Sequence, residues 1–156
     1  FNDIYLAANC KFYLGDTAGL LLVPVILNIP VALANIIPMG YLGYKNHDLV
    51  ILKKLWHKGF KRYLTFREIF EIGADMWISA DKYNEADIQP VENSPEEILE
   101  LAKEMNARLD GTWQFFKEDE DLQEKFWDTF HPSHPTGECP SRIGAHFLRE
   151  NKNLLE

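Results

Sequence analysis

The chain has 156 residues, of which 46% are hydrophobic, and a formal net charge of −8. This length suits one domain or one lobe of a larger enzyme, and the apolar fraction is enough to fill a core. Residues 79–156 carry eight Lys or Arg against eighteen Asp or Glu, whereas residues 1–78 carry eight against six. The acidic balance excludes nucleic acid as an expected partner, because nucleic-acid binding needs a basic footprint.

Residues 17–44 contain no charged side chain. A run of this length could cross a membrane as a helix, which needs roughly 20 apolar residues. However, Pro24 and Pro30 interrupt the run, Asn28 and Asn35 are polar, and no tryptophan flanks it. The residue before a proline avoids the helical region, so "LNIPV" predicts a helix end, a turn and a strand start. We therefore predict no transmembrane span.

The stretch 10–35 instead predicts a strand, a helix and a second strand. "KFYLG" is a short aromatic strand, "DTAG" is a turn that can cap a helix, and "LLLVPVIL" is an apolar helix that Pro24 kinks or starts. "PVALAN" is apolar on both faces, as in strands of parallel sheets that helices cover on both sides. The predicted fold class is α/β, with a Rossmann-like parallel sheet and flanking helices.

The turn after the first strand is the main candidate site. Ligands of open α/β sheets bind beyond the carboxyl ends of the strands. The two glycines of this turn allow a ligand close to the backbone, and its Asp and Thr offer oxygen atoms. The last three amides would point at an anion from a helix N-terminus. The candidate residues are Gly15, Asp16, Thr17, Ala18, Gly19 and Leu20; a plain structural turn is the alternative.

Four segments carry a resemblance to a known family. "CKFYLGDTAGLLLVPVILNIPVALANIIP", "RYLTFREIFE", "NSPEEILELAKEMNARLDGTW" and "SRIGAHFLRENKNLL" together resemble the C-terminal, sugar-nucleotide-binding lobe of bacterial GT-B glycosyltransferases linked to surface-polysaccharide assembly. Where that family is expected to have Gly before a proline-led strand, this chain has Asn28-Ile29-Pro30. Asn also tolerates the left-handed conformation, so the turn is expected to survive.

The resemblance implies a nucleotide diphospho-sugar as donor substrate, no cofactor, and a glycan or a lipid-linked molecule as acceptor. It implies a cytoplasmic location, including peripheral attachment at the inner membrane. It covers only the C-terminal half of such an enzyme, so an N-terminal lobe would be missing. The expected division is a nucleotide-sugar-binding lobe over residues 1–112 and a helical extension over residues 113–156 that packs on it.

Two further segments could complete the donor site. Asn35 and the loop 36–49, with Tyr41, Tyr44, Asn46 and His47, follow the second strand and are expected at the same carboxyl edge. Among the basic residues that come next, Lys53, Lys54 and Arg62 would offset negative charge on the leaving diphosphate. A solvated face with extended lysines is the alternative. No D-x-D metal motif occurs and no general base is evident; the resemblance would place that base on the other lobe.

The second half of the chain reads mainly as helices. Thr65 with Glu68, and Ser94 followed by Pro95, are helix-start signals, and a short strand is expected at residues 88–91. An acidic amphipathic helix is predicted over residues 117–130, and a final helix is expected to begin after a Ser141 cap. His131, His134 and Cys139 lie in a proline-containing loop whose irregular spacing does not favour a zinc site.

Two functions stay open. The first is a glycosyltransferase lobe that binds the nucleotide sugar, with the turn residues on the phosphates and Asp16 or Thr17 on the ribose, a phosphate or the sugar. The second is a non-catalytic, truncated or degenerate Rossmann-like module kept for binding or assembly.

Overall fold

The computed structural model describes residues 2–42, 45–129 and 141–156. Its helices are α1 (Asn2–Asn9), α2 (Leu22–Ile26), α3 (Phe66–Glu71), α4 (Ala80–Glu85), α5 (Pro95–Leu109), α6 (Lys117–Trp127) and α7 (Ala145–Glu150). Its strands are β1 (Tyr13–Gly15), β2 (Val31–Ile36), β3 (Leu49–Leu52), β4 (Lys54–His57), β5 (Arg62–Tyr63), β6 (Ile88–Val91) and β7 (Arg142–Ile143). Within the described residues, no helix combines the length and apolar character that a bilayer crossing requires.

The main sheet has four parallel strands in the order β1-β2-β3-β7. Strand β3 is wholly buried and β2 almost so, because each is apolar on both faces and α5 packs against them. The predicted α/β class with a parallel sheet and flanking helices is therefore confirmed. The arrangement is compatible with a Rossmann-like fold.

The predicted strand–helix–strand unit is also confirmed. Strands β1 and β2 are parallel neighbours, and a 3₁₀ turn at Gly19–Leu21 leads into the short helix α2 between them. Asn28 takes the left-handed conformation, with φ of 60°, and the Ile29 amide bonds back to the Pro24 carbonyl at 2.9 Å. Asparagine thus serves the helix-to-strand turn that glycine would otherwise serve.

The order of the parallel strands bears on where a ligand can bind. Along the sheet, the described strands follow one another in chain order, without a reversal. In doubly wound sheets the ligand crevice opens where the strand order reverses, because neighbouring connections then leave on opposite faces. The described part of this sheet has no such reversal, so a binding site at its carboxyl edge has to be argued from side chains.

A long insertion separates β3 from β7 and contains a second, antiparallel sheet in the order β5-β4-β6. The short strand expected at Ile88–Val91 is β6. The capping boxes of Thr65 with Glu68 and of Ser94 with Glu97 are both formed, and they start α3 and α5. Helix α4 and the β4–β5 hairpin have no counterpart in the sequence-based expectations.

The expectation of one final helix from Ser141 is wrong. Residues Arg142 and Ile143 form β7, which pairs with β3 through Arg142 N to Asp48 O and Gly144 N to Val50 O, both at 3.0 Å. The buried Gln123 side chain of α6 bonds both the amide and the carbonyl of Ile143. Helix α7 begins only after Gly144. The expected extension 113–156 therefore contributes a strand to the sheet of the expected lobe.

Candidate functional site

The carboxyl ends of β1 and β2 border an open cavity of about 300 Å³, here called the β1–β2 cleft. Parallel strands end at one edge of a sheet, and this brings three predicted site residues, Gly15, Asp16 and Asn35, to the same cavity. Ile98 on α5 closes one side. The lining also includes residues that the sequence did not single out, namely Tyr13, Leu14, Ala34 and Ile98.

The turn after β1 is organised by the Asp16 side chain. Its Oδ1 accepts a hydrogen bond from the Ala18 amide at 2.9 Å, so one of the three amides predicted to bind phosphate is already used. The first helical bond runs from Leu21 N to Ala18 O. The amides of Gly19 and Leu20 precede it, and they have no acceptor among the described residues. Thr17 is exposed beside them.

The two glycines of the turn differ in what requires them. A Cβ on Gly15 would lie 2.6 Å from the Tyr13 ring, so glycine is needed there for the ring to cover the backbone. A Cβ on Gly19 would meet nothing within 4 Å. No packing contact within the described protein therefore requires glycine at position 19, and the space above its backbone is open.

Asn35 is held by a reciprocal pair of hydrogen bonds with Asn93. The Asn35 amide donates to Asn93 Oδ1 at 2.7 Å, and the Asn93 amide donates to Asn35 Oδ1 at 2.7 Å. The residue has a left-handed φ of 59°, at the irregular end of the β2–β3 pairing. Its Oδ1 thus serves the fold, and Nδ2 is the side-chain atom left for a ligand in the cleft.

The three cations predicted to neutralise a diphosphate do not line the β1–β2 cleft. Each one has a carboxylate partner elsewhere: Lys53 with Glu92 at 3.3 Å, Lys54 with Glu97 at 2.8 Å and Arg62 with Glu68 at 2.6 Å. The reason is topological, because directly after Lys53 the chain enters the second sheet. The structure does not bring these side chains together with the Gly15–Leu20 turn.

Two of these ion pairs lower the pKa of their carboxylates. The bond from Arg62, aided by the Thr65 amide, lowers the pKa of Glu68 to about 2. Burial raises the pKa of Glu97, but bonds from Lys54 and Ser94 outweigh it and hold that pKa below its ordinary value. Both carboxylates are therefore ionised at neutral pH, and both bind their cations as structural partners.

Lys54 also borders a second cavity, of about 370 Å³, between the start of α5 and α7. The other lining residues are Ser94, Glu96, Glu97, His146, Glu150 and Asn151. The surroundings are acidic, and the start of α5 is already closed by its capping box. An anionic phosphate is therefore disfavoured there.

The loop after β2 returns to the opposite edge of the sheet. Asp48 accepts hydrogen bonds from the amide of Val31 at 3.0 Å and from the amide of Lys45 at 2.7 Å. Val31 starts β2, so Asn46 and His47 lie near the amino ends of the strands and not at the carboxyl edge where they were expected. A parallel strand pair requires this crossing. The side chains of Tyr41 and Tyr44 lie outside the described part, as do His131, His134 and Cys139.

Within residues 2–42, 45–129 and 141–156, no group of three or more His, Cys, Asp or Glu side chains is arranged to hold a metal ion. The fold places the chain among α/β proteins with a parallel sheet, an arrangement compatible with a Rossmann-like fold. No family model, no curated protein and no solved structure matches the chain. The glycosyltransferase resemblance therefore stays a prediction, and function has to be argued from the cleft itself.

Proposed function

We propose that the chain is the donor-binding lobe of a glycosyltransferase of the GT-B type. It binds a nucleotide diphospho-sugar in the β1–β2 cleft, and the sugar is transferred to a glycan or a lipid-linked acceptor. The observation that supports this most is the meeting of Gly15, Asp16 and Asn35 at one strand edge. Gly19 and Leu20 follow in the same turn and have two amides without an acceptor among the described residues, although neither residue lines the cleft and Leu20 borders a separate cavity beside α1.

The residues of the cleft suggest a division of labour. Asp16 uses Oδ1 within the turn, and its Oδ2 has no partner among the described residues. A carboxylate oxygen accepts hydrogen bonds, so it suits the hydroxyls of a ribose or a sugar and repels a phosphate. The phosphates would instead meet the amides of Gly19 and Leu20, where charge-assisted bonds to an oxyanion are strong. Thr17 is close enough in sequence to add a hydroxyl donor.

Neutralisation of the leaving diphosphate needs positive charge, which the lining of the cleft does not supply. Its lining residues include one carboxylate, one phenol and no cation. The resemblance would place the general base on a second lobe. We therefore expect this chain alone to bind the donor and not to turn it over.

The same lack of a lining cation favours the alternative function, a non-catalytic binding or assembly module. The two functions differ in what a second lobe does. If the chain belongs to an enzyme, adding the lobe that the resemblance implies restores transfer and raises donor affinity. If it is a module, the chain alone either binds the donor with full affinity or does not bind it at all.

Calorimetry on the chain tests donor binding, after a thermal-shift panel of nucleotide sugars has selected the donor. Gly19→Val is the informative variant, because its side chain has open space in the protein and would block a diphosphate. We expect unchanged thermal stability and a loss of donor affinity of at least tenfold. Equal affinity of variant and wild type would mean that this turn is only structural.

Two control variants sharpen the result. Asp121→Asn removes an exposed carboxylate on α6 and should leave affinity unchanged, whereas Asp16→Asn should weaken donor binding. The double variant Lys53→Gln/Arg62→Gln tests the cations while sparing Lys54, which supports the buried Glu97. Because both residues are paired away from the cleft, donor affinity and its salt dependence should be unchanged. A flattened salt dependence would restore the role that the sequence predicted for them.

A further inference from the structure

The hairpin formed by β4 and β5, residues 54–63, is basic in an acidic protein. Residues 53–63 contain five Lys or Arg and no Asp or Glu, although the chain as a whole carries −8. Three of these cations are paired with carboxylates, as described above. Lys58 and Lys61, at the turn, are exposed and have no carboxylate partner among the described residues. The Asp87 carboxylate lies beside the turn, with Oδ2 3.3 Å from where a Cβ on Gly59 would stand.

The turn presents an aromatic side chain to solvent. Phe60 is 63% exposed and lies between Lys58 and Lys61 in the sequence. Its ring stacks on the His57 imidazole with centroids 3.9 Å apart and planes 19° apart, and Arg62 lies 5.6 Å from the ring centroid. The Phe60 amide donates to His57 Nδ1 at 3.3 Å, and the Lys61 amide donates to the His57 carbonyl at 2.9 Å. Phe60 is therefore held outward by an ordered turn.

The strands behind the turn also carry aromatic and basic side chains. Trp56 and Tyr63 face each other across the hairpin, edge to face, with centroids 5.2 Å apart. The Lys54 ammonium lies 5.7 Å from the Tyr63 ring. Tryptophan and tyrosine favour the interface between lipid headgroups and hydrocarbon, and Trp56 and Tyr63 are both half-buried here.

We propose that the 54–63 hairpin is a docking element for an anionic bilayer surface, with Phe60 inserted between headgroups and Lys58 and Lys61 on the lipid phosphates. Charge complementarity argues for this occupant. Basic groups next to a membrane are attracted by its negative surface potential, and Lys58 and Lys61 are exposed without a carboxylate partner among the described residues. The field therefore attracts the turn of this hairpin to the lipid. The proposal does not depend on what binds in the β1–β2 cleft.

Vesicle flotation with the full chain tests the proposal. We expect binding to vesicles that mix phosphatidylcholine with phosphatidylglycerol, and little binding to phosphatidylcholine alone. Lys58→Gln/Lys61→Gln should lower the partition coefficient by about fivefold for each lysine, the equivalent of about 1 kcal/mol. The matched control Lys117→Gln/Lys125→Gln removes the same charge from α6 and should change the partition much less.

Added salt and a Phe60 variant separate the electrostatic contribution to vesicle binding from the apolar one. Added salt should weaken binding of the wild type, because screening acts over about 8 Å at physiological ionic strength. Phe60→Ser should weaken binding and leave the salt dependence in place. Equal binding to neutral vesicles, equal loss in the α6 control, or equal affinity for single-stranded DNA would overturn the proposal. The last result would indicate a general polyanion surface.

Discussion

Replacing Asn93 by alanine should destabilise the protein strongly, although the residue lies in a loop just before α5. Its side chain is buried and connects three segments of the carboxyl edge. Oδ1 accepts from the Asn35 amide at 2.7 Å at the end of β2, and Nδ2 donates to the Leu52 carbonyl at 2.8 Å at the end of β3. The Asn93→Ala variant leaves both of these backbone groups without a partner.

The magnitude follows from how buried the two orphaned groups are. Leaving a buried donor or acceptor unsatisfied costs about 1–3 kcal/mol. The Asn35 amide is only partly buried, so it belongs near the low end, whereas the Leu52 carbonyl is fully buried and belongs near the high end. We expect a loss of about 2–4 kcal/mol, a large part of the roughly 5–15 kcal/mol that stabilises a typical domain.

Urea unfolding, followed by tryptophan fluorescence, measures this loss as a lower midpoint with an unchanged slope. The exposed Asn84→Ala on α4 is the control, with an expected change within about 0.5 kcal/mol. Asn93→Asp adds a second test, because protonation of the new carboxyl restores a donor toward Leu52. Its deficit relative to wild type should therefore shrink as the pH falls. A loss below about 1 kcal/mol for Asn93→Ala would refute the assignment of Asn93 as the connection between these segments.

Two further predictions concern stability and the cleft. Because the pKa of Glu68 is lowered from 4.5 to about 2 in the folded state, its ion pair with Arg62 stabilises the protein fully above pH 4.5 and less as the pH falls toward 2. In urea unfolding across that pH range, Glu68→Gln, which can still complete the capping box with Thr65, should lose less stability than wild type; equal losses would contradict the pairing. Gly15→Ala should cost about 1–3 kcal/mol because its Cβ would overlap the Tyr13 ring, and the cost should largely disappear in a Tyr13→Ala background. The same cost in both backgrounds would mean that backbone strain, and not the ring, is responsible.

Local signals in the sequence were sufficient wherever a few neighbouring residues decide the structure. The boxes of Ser94 with Glu97 and of Thr65 with Glu68 start helices because each pair satisfies its own helix-end amides. The Asn28 turn and the strand after Pro30 follow from backbone sterics alone. An apolar run interrupted in this way also predicted the parallel β1–β2 pair, and with it the shared edge that holds Gly15, Asp16 and Asn35.

Tertiary structure decided what distant segments do to one another. Strand β7 has only two residues, Arg142 and Ile143, which is too short for a recognisable sequence pattern. It forms because β3 and the Gln123 side chain hydrogen-bond its backbone. The same limit applies to the Lys53–Arg62 stretch. Its composition records the cations, but which carboxylates they meet depends on how β4 leaves the main sheet. The sequence does not show which partner a charged side chain has, because Coulomb attraction depends on three-dimensional distances that position along the chain does not set.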